Sequence, residues 1–147
     1  MQFAAMTLAA LVGASLAIQI GLNAMVRVQL GHPVTAAVAN FAVGIVCLLA
    51  FAVMARVPLP ALAQVSSAPP WIWLGGLLGA LYVGSGIVLG PQLGAGMFMA
   101  LTVAGQLVAA LVLDHYGLLG FPVRPVDLGR IVGVGLVIAG VVVLARQ

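Results

Sequence analysis

Polarity divides the chain into five long apolar stretches separated by short polar or proline-containing breaks. A membrane span needs roughly 20 mainly apolar residues to cross a hydrocarbon core of about 30 Å, and each stretch approaches that length. The first runs from Phe3 to Val26 and closes at Arg27 and the turn-like Gly31-His32-Pro33. The second, Val34 to Ala55, ends at Arg56 with Pro58 and Pro60 beyond it. A polar, proline-rich connection from Gln64 to Pro70 follows. Trp71 and Trp73 then open the third stretch, where interfacial aromatic anchors are expected, and it extends to about Leu89. Gly90-Pro91-Gln92 reads as a tight hairpin into the fourth, about Leu93 to Leu113. An irregular segment from Asp114 to Asp127 leads to the fifth, about Leu128 to Ala145.

The runs are continuously apolar, which excludes the alternating ten-residue strands of a membrane β-barrel. The first has no basic leader and more spans follow, so it reads as a span rather than a signal peptide. The expectation is an all-α integral membrane protein, residues 1–147 forming a single domain of five transmembrane helices.

Composition agrees. The chain is 65% hydrophobic and 5% charged, with a mean hydropathy of +1.32, where a soluble domain carries about 25% charged residues. Two Asp and five Arg cannot cover a water-facing surface, which excludes a soluble enzyme. Cys47 is the one cysteine, so there is no disulfide framework. The net charge of +3 raises nucleic acid as a partner. However, Arg27, Arg56, Arg124, Arg130 and Arg146 are scattered, making neither a patch nor a groove. They flank the apolar stretches instead, and the partner they imply is the lipid bilayer.

Five spans put the termini on opposite sides. Arg56, Arg124 and Arg130 then share the side of the N-terminus, and Arg27 and Arg146 the other. Orientation follows an excess of positive charge on the cytoplasmic side, and three against two is hardly an excess. One reading is a weakly favoured orientation with the N-terminus inside. The other is dual topology, in which oppositely inserted copies pair as an antiparallel homodimer. Such a pair builds from two chains the inverted repeat that many transporters carry in one.

Small residues recur at four-residue spacing: Gly75 with Gly79, Gly86 with Gly90, and Gly129 with Gly133. In lipid, close backbone approach through small side chains drives helix association, so these pairs are candidates for helix packing. Intramembrane polar residues are where function is expected. Ser15, Gln19 and Asn23 share a helical face, Asn40 lies in the second span, Tyr82 and Ser85 in the third, and Thr102 and Gln106 in the fourth. Gln19, Asn23, Asn40, Tyr82, Ser85, Thr102 and Gln106 are the candidates for lining a solute path, with interhelical hydrogen bonding as the alternative role. No acid or base lies in the middle of a span. Asp114 and His115, at the end of the fourth helix, are the candidate proton or cation site, with anchoring of that helix end in the headgroups as the alternative. No His, Cys, Asp or Glu cluster has metal-ligand spacing, no catalytic set is credible, and the pattern calls for no cofactor.

These residues carry a resemblance to the YdcZ family, small inner-membrane exporters of the drug/metabolite transporter superfamily. It rests on Gln19 with Asn23, on Gly31-His32-Pro33, and on Trp71-Ile72-Trp73-Leu74-Gly75-Gly76 through Gly79 to Tyr82. Pro91-Gln92-Leu93-Gly94, Ala104-Gly105-Gln106 and Asp114-His115-Tyr116-Gly117-Leu118-Leu119-Gly120 continue it. The resemblance implies a five-helix half of an inverted-repeat, ten-helix transporter plan, paired in opposite orientations with itself or with a homologue. Unlike the related small multidrug resistance transporters, the chain has no glutamate in its first helix. The expected function is a secondary transporter or exporter of a small molecule in a bacterial cytoplasmic membrane, acting as an antiparallel dimer. A passive channel formed by the same dimer and a non-transporting membrane partner subunit are the alternatives.

Overall fold

The computed structural model describes residues 2–146. They are helical almost throughout, with no strand among the described residues. In order, the helices are α1 (Gln2–Leu30), α2 (Pro33–Met54), a short α3 (Leu62–Ser66), α4 (Leu74–Leu93), α5 (Ala95–Tyr116) and α6 (Leu128–Leu144). A 3₁₀ turn, Pro70–Trp73, leads directly into α4. Four segments are long and apolar enough to span a membrane: Gln2–Leu30, Pro33–Met54, Pro70–Leu93 and Ala95–Tyr116. Leu128–Leu144 is apolar but shorter.

Very little of this surface is hidden. Among the described residues, Ile20, Ala36, Ile87 and Phe98 form the buried apolar core, while Phe3, Phe51, Met54 and Leu136 are among many large side chains that stay exposed. A water-soluble protein could not leave so much hydrocarbon outside. For a chain whose solvent is lipid it costs nothing, because acyl chains are as apolar as the side chains they replace.

The chain forms two compact units, residues 1–92 and 93–147. In the first, α1 and α2 are antiparallel neighbours joined at Gly31, whose φ of 77° makes the reversal. His32 caps α2, its Nδ1 accepting the Val34 N–H at 3.2 Å, and Pro33 occupies the first turn, where a missing N–H costs nothing. Helix α4 meets α1 where Gly90 faces Ile20: a Cβ at position 90 would lie 2.5 Å from Ile20 Cγ2. In the second unit, α5 ends at Gly117 in the left-handed conformation, φ 61°. An ordered loop then leads to α6, which is capped by Asp127 through the Arg130 N–H at 2.8 Å.

Several boundaries differ from those the sequence suggests. Helix α1 runs through Arg27 to Leu30 instead of closing at Val26. Helix α4 runs through Pro91 to Leu93, so Gly90-Pro91-Gln92 is helical, and the break falls at Gly94 with φ 80°. Asp114 and His115 lie in the last turn of α5, at the end of the fourth long apolar helix as the sequence suggests. Part of the polar connection before Pro70 coils into α3.

Candidate functional site

In the first unit, α1 presents Ser15, Gln19, Asn23 and Arg27 at four-residue intervals. Because α1 is one unbroken helix, these residues form a shallow spiral stripe in which each rung lies about a turn from the next. Ser15 is exposed and donates to its own helix, to Val12 O at 2.7 Å. Gln19 is half-buried, and Asn23, 6% exposed, is the one buried polar residue among the described residues of this unit. Gln19 and Asn40 face the same cleft, about 390 Å³, whose other walls are Phe41, Ile45 and Leu48 of α2 and Val83 of α4. Two of the sequence candidates are thus brought together, and their primary amides supply both donors and acceptors to an otherwise hydrocarbon space.

A larger groove of about 600 Å³ lies between α2 and α4, walled by Val34, Val38, Phe41 and Ile45 against Ala80, Gly84 and Val88. Its walls are apolar and hold no group that could orient a polar solute. Ser85 is exposed on a shallow face of α4 beside Leu81, Gly84 and Leu89, outside the Gln19–Asn40 cleft. Tyr82 is half-buried on the same helix.

Near its end α1 carries a residue that the sequence places outside the membrane. Arg27 is half-buried, and its Nη1 donates to the carbonyl of Ile87 in α4 at 3.2 Å. That carbonyl would ordinarily accept the N–H of residue 91, but residue 91 is proline and has none. The guanidinium supplies the missing donor. Arg27 also lines a cleft of about 490 Å³ with Ala24, Met25, Val28, Gly31 and Pro91. The continuing four-residue spacing from Ser15 was the sequence signal that could have placed it on this stripe.

In the second unit, Thr102 donates its hydroxyl to Met99 O of its own helix at 3.0 Å, and Gln106, one turn on, is exposed. Asp114 and His115 are tied to the α5–α6 loop. Asp114 Oδ2 receives Arg130 Nη1 at 3.3 Å, the Arg124 N–H donates to Asp114 O at 2.7 Å, and Arg130 Nη1 also reaches Arg124 O at 3.3 Å. His115 Nδ1 accepts the Val126 N–H at 3.1 Å. The Tyr116 ring stands edge-on at 4.7 Å. This arrangement holds a loop against a helix end by ionic and hydrogen-bonded contacts.

Of the glycine pairs, Gly86 and Gly90 are buried on α4. A Cβ on Gly75, Gly79 or Gly133 would meet open space, and one on Gly129 would meet the Asp127 carboxylate at 3.2 Å.

Residues 4–143 match the model of a protein family described as "Putative inner membrane exporter, YdcZ". The chain is also 36% identical over 83 residues to "Inner membrane protein YdcZ" of Escherichia coli (strain K12). That alignment covers 56% of this chain and 55% of the relative, so the chain spans about half the length of the curated relative it matches. No solved structure matches the chain.

Proposed function

Because the chain belongs to the YdcZ family of inner-membrane exporters, and is accordingly a multi-pass inner-membrane protein, we propose that it is one subunit of a secondary transporter exporting a small solute. Its five apolar helices, the fifth being the shorter α6, all cross the membrane as one domain. Two oppositely inserted copies pair to complete an inverted-repeat, ten-helix plan. At 17 residues, α6 is about 26 Å long, within what a few ångströms of local thinning accommodate.

The observation that carries this reading is the cleft where Gln19 of α1 and Asn40 of α2 stand together among apolar side chains. Neutral amides in a hydrocarbon-walled space can exchange a solute's water for fixed hydrogen bonds without holding it too tightly to release. Asn23 lies one helical turn further along α1 and is buried. Tyr82 and Ser85 of α4 and Thr102 and Gln106 of α5 are the other polar residues we assign to the solute path. The near-even distribution of arginines supports opposite insertion of the two copies. Alternating access then exchanges two equivalent subunits between inward- and outward-facing states.

The test is counterflow. The purified chain in proteoliposomes, screened against labelled small solutes, should show saturable flux that unlabelled solute on the far side accelerates. Gln19→Ala, Asn23→Ala and Gln106→Ala should each lower that flux at equal protein content. Flux that rises linearly with concentration, without counterflow, would mean a passive channel. No flux, with one unrelated membrane protein held in stoichiometric amount, would mean a partner subunit.

A further inference from the structure

Arg27 is the single charged residue in α1, α2 and α4, and residues 1–92 contain no Asp or Glu. The chain's two acids are engaged within the second unit, Asp114 with Arg130 and Asp127 as the cap of α6. Arg27 is nonetheless half-buried, in the last turn of α1, and no carboxylate of its own unit is available to pair with it. The Ile87 carbonyl neutralises none of its charge. A guanidinium has five N–H donors in a planar fork that matches carboxylate and phosphate oxygens two at a time. This fork opens onto a cleft of about 490 Å³ beside Gly31 and Pro91, large enough for such a group.

We propose that the Arg27 cleft is an anion site, taking a carboxylate or phosphate-type group from either a transported solute or a lipid headgroup. The solute source rests on the transporter reading above, and it sets the substrate class. A solute with an anionic end docks on Arg27, with the rest of it among Ala24, Met25, Val28, Gly31 and Pro91 of the same cleft. The same charge inventory disfavours cations, since the first unit offers them no carboxylate.

Three probes of one shape and different charge make the test: benzoate, benzamide and benzamidine, with phenylphosphonate as a second anion. Thermal unfolding of the full chain is followed in neutral detergent with each probe. A ligand that binds only the folded state raises the midpoint with concentration. The expected result is a saturable rise with benzoate or phenylphosphonate and none with benzamide or benzamidine. Arg27→Gln should weaken it by at least about tenfold, equivalent to roughly 1.4 kcal/mol, and Arg27→Lys should keep part of it.

Because Arg27→Gln also strips a donor from Ile87, the comparison is repeated in a Pro91→Ala background, where the backbone supplies that donor and only the charge is lost. A second arm compares nanodiscs of phosphatidylglycerol with nanodiscs of phosphatidylcholine. Stabilisation by phosphatidylglycerol alone, lost with Arg27→Gln, assigns the site to a lipid headgroup. Stabilisation by the soluble anions assigns it to a solute. No anion-specific stabilisation in either arm, or stabilisation equal in Arg27→Gln, overturns the site. Anion binding without counterflow would instead sink the transporter reading and leave the site standing, and counterflow without anion binding would do the reverse.

Discussion

The guanidinium of Arg27 donates to the carbonyl of Ile87 at 3.2 Å, and Ile87 is the residue whose helical partner, Pro91, has no N–H to give. A proline inside a helix removes one hydrogen bond and leaves one acceptor exposed. In lipid there is no water to satisfy it. A side chain on α1 closes that gap in α4, and the two helices are held in register by it.

Removing this donor should therefore destabilise the first unit, and restoring the backbone donor should make the arginine structurally dispensable. Arg27→Gln is expected to cost about 1–2 kcal/mol, the range for a charged donor lost from a carbonyl that water cannot reach. In a Pro91→Ala chain the same change should cost less than half as much. Reversible unfolding of the four variants in detergent gives the coupling directly.

Gly90 should tolerate no side chain while Ile20 is present. An added Cβ would stand 2.5 Å from Ile20 Cγ2, so Gly90→Ala is expected to destabilise by about 1–3 kcal/mol, and Ile20→Ala should relieve much of it. Gly75→Ala and Gly79→Ala meet open space and should leave the fold of a single chain intact. If those two glycines pack in the proposed dimer, the same substitutions lower the dimer fraction in single-molecule photobleaching.

The α5–α6 loop should loosen when its anchors are cut. Asp114→Asn breaks the 3.3 Å pair with Arg130, at a cost of about 0.5–1 kcal/mol for a partly exposed pair. Exchanging the two charges, Asp114→Arg with Arg130→Asp, should restore part of it. His115→Phe removes the acceptor of the Val126 N–H, so hydrogen exchange at Val126 should accelerate.

The sequence made the helices legible and misplaced two of their ends for one shared reason. A charge at position 27 and a proline at position 91 are each read locally as stops, and α1 and α4 continue through both. Each residue supplies what the other lacks, and that relationship exists only once the two helices lie side by side. Gly94, with φ 80°, makes the break that Pro91 does not. Gln19 and Asn40 were legible as polar residues in apolar runs, and their sharing of one cleft follows from α1 and α2 being antiparallel neighbours around Gly31. The loop anchors on Asp114 and His115 were not legible, since Arg124 and Val126 are contacts across a turn whose path depends on the left-handed Gly117.

Opposite insertion of two copies is the claim on which the transport proposal turns. The most direct measurement fuses, after residue 147, a reporter active only in the cytoplasm or one active only outside it, each expressed at low level in a bacterial host. Activity from both fusions is the predicted result, and moving one arginine from one side of the membrane to the other should then tip the balance. Activity from one fusion alone would contradict an antiparallel homodimer.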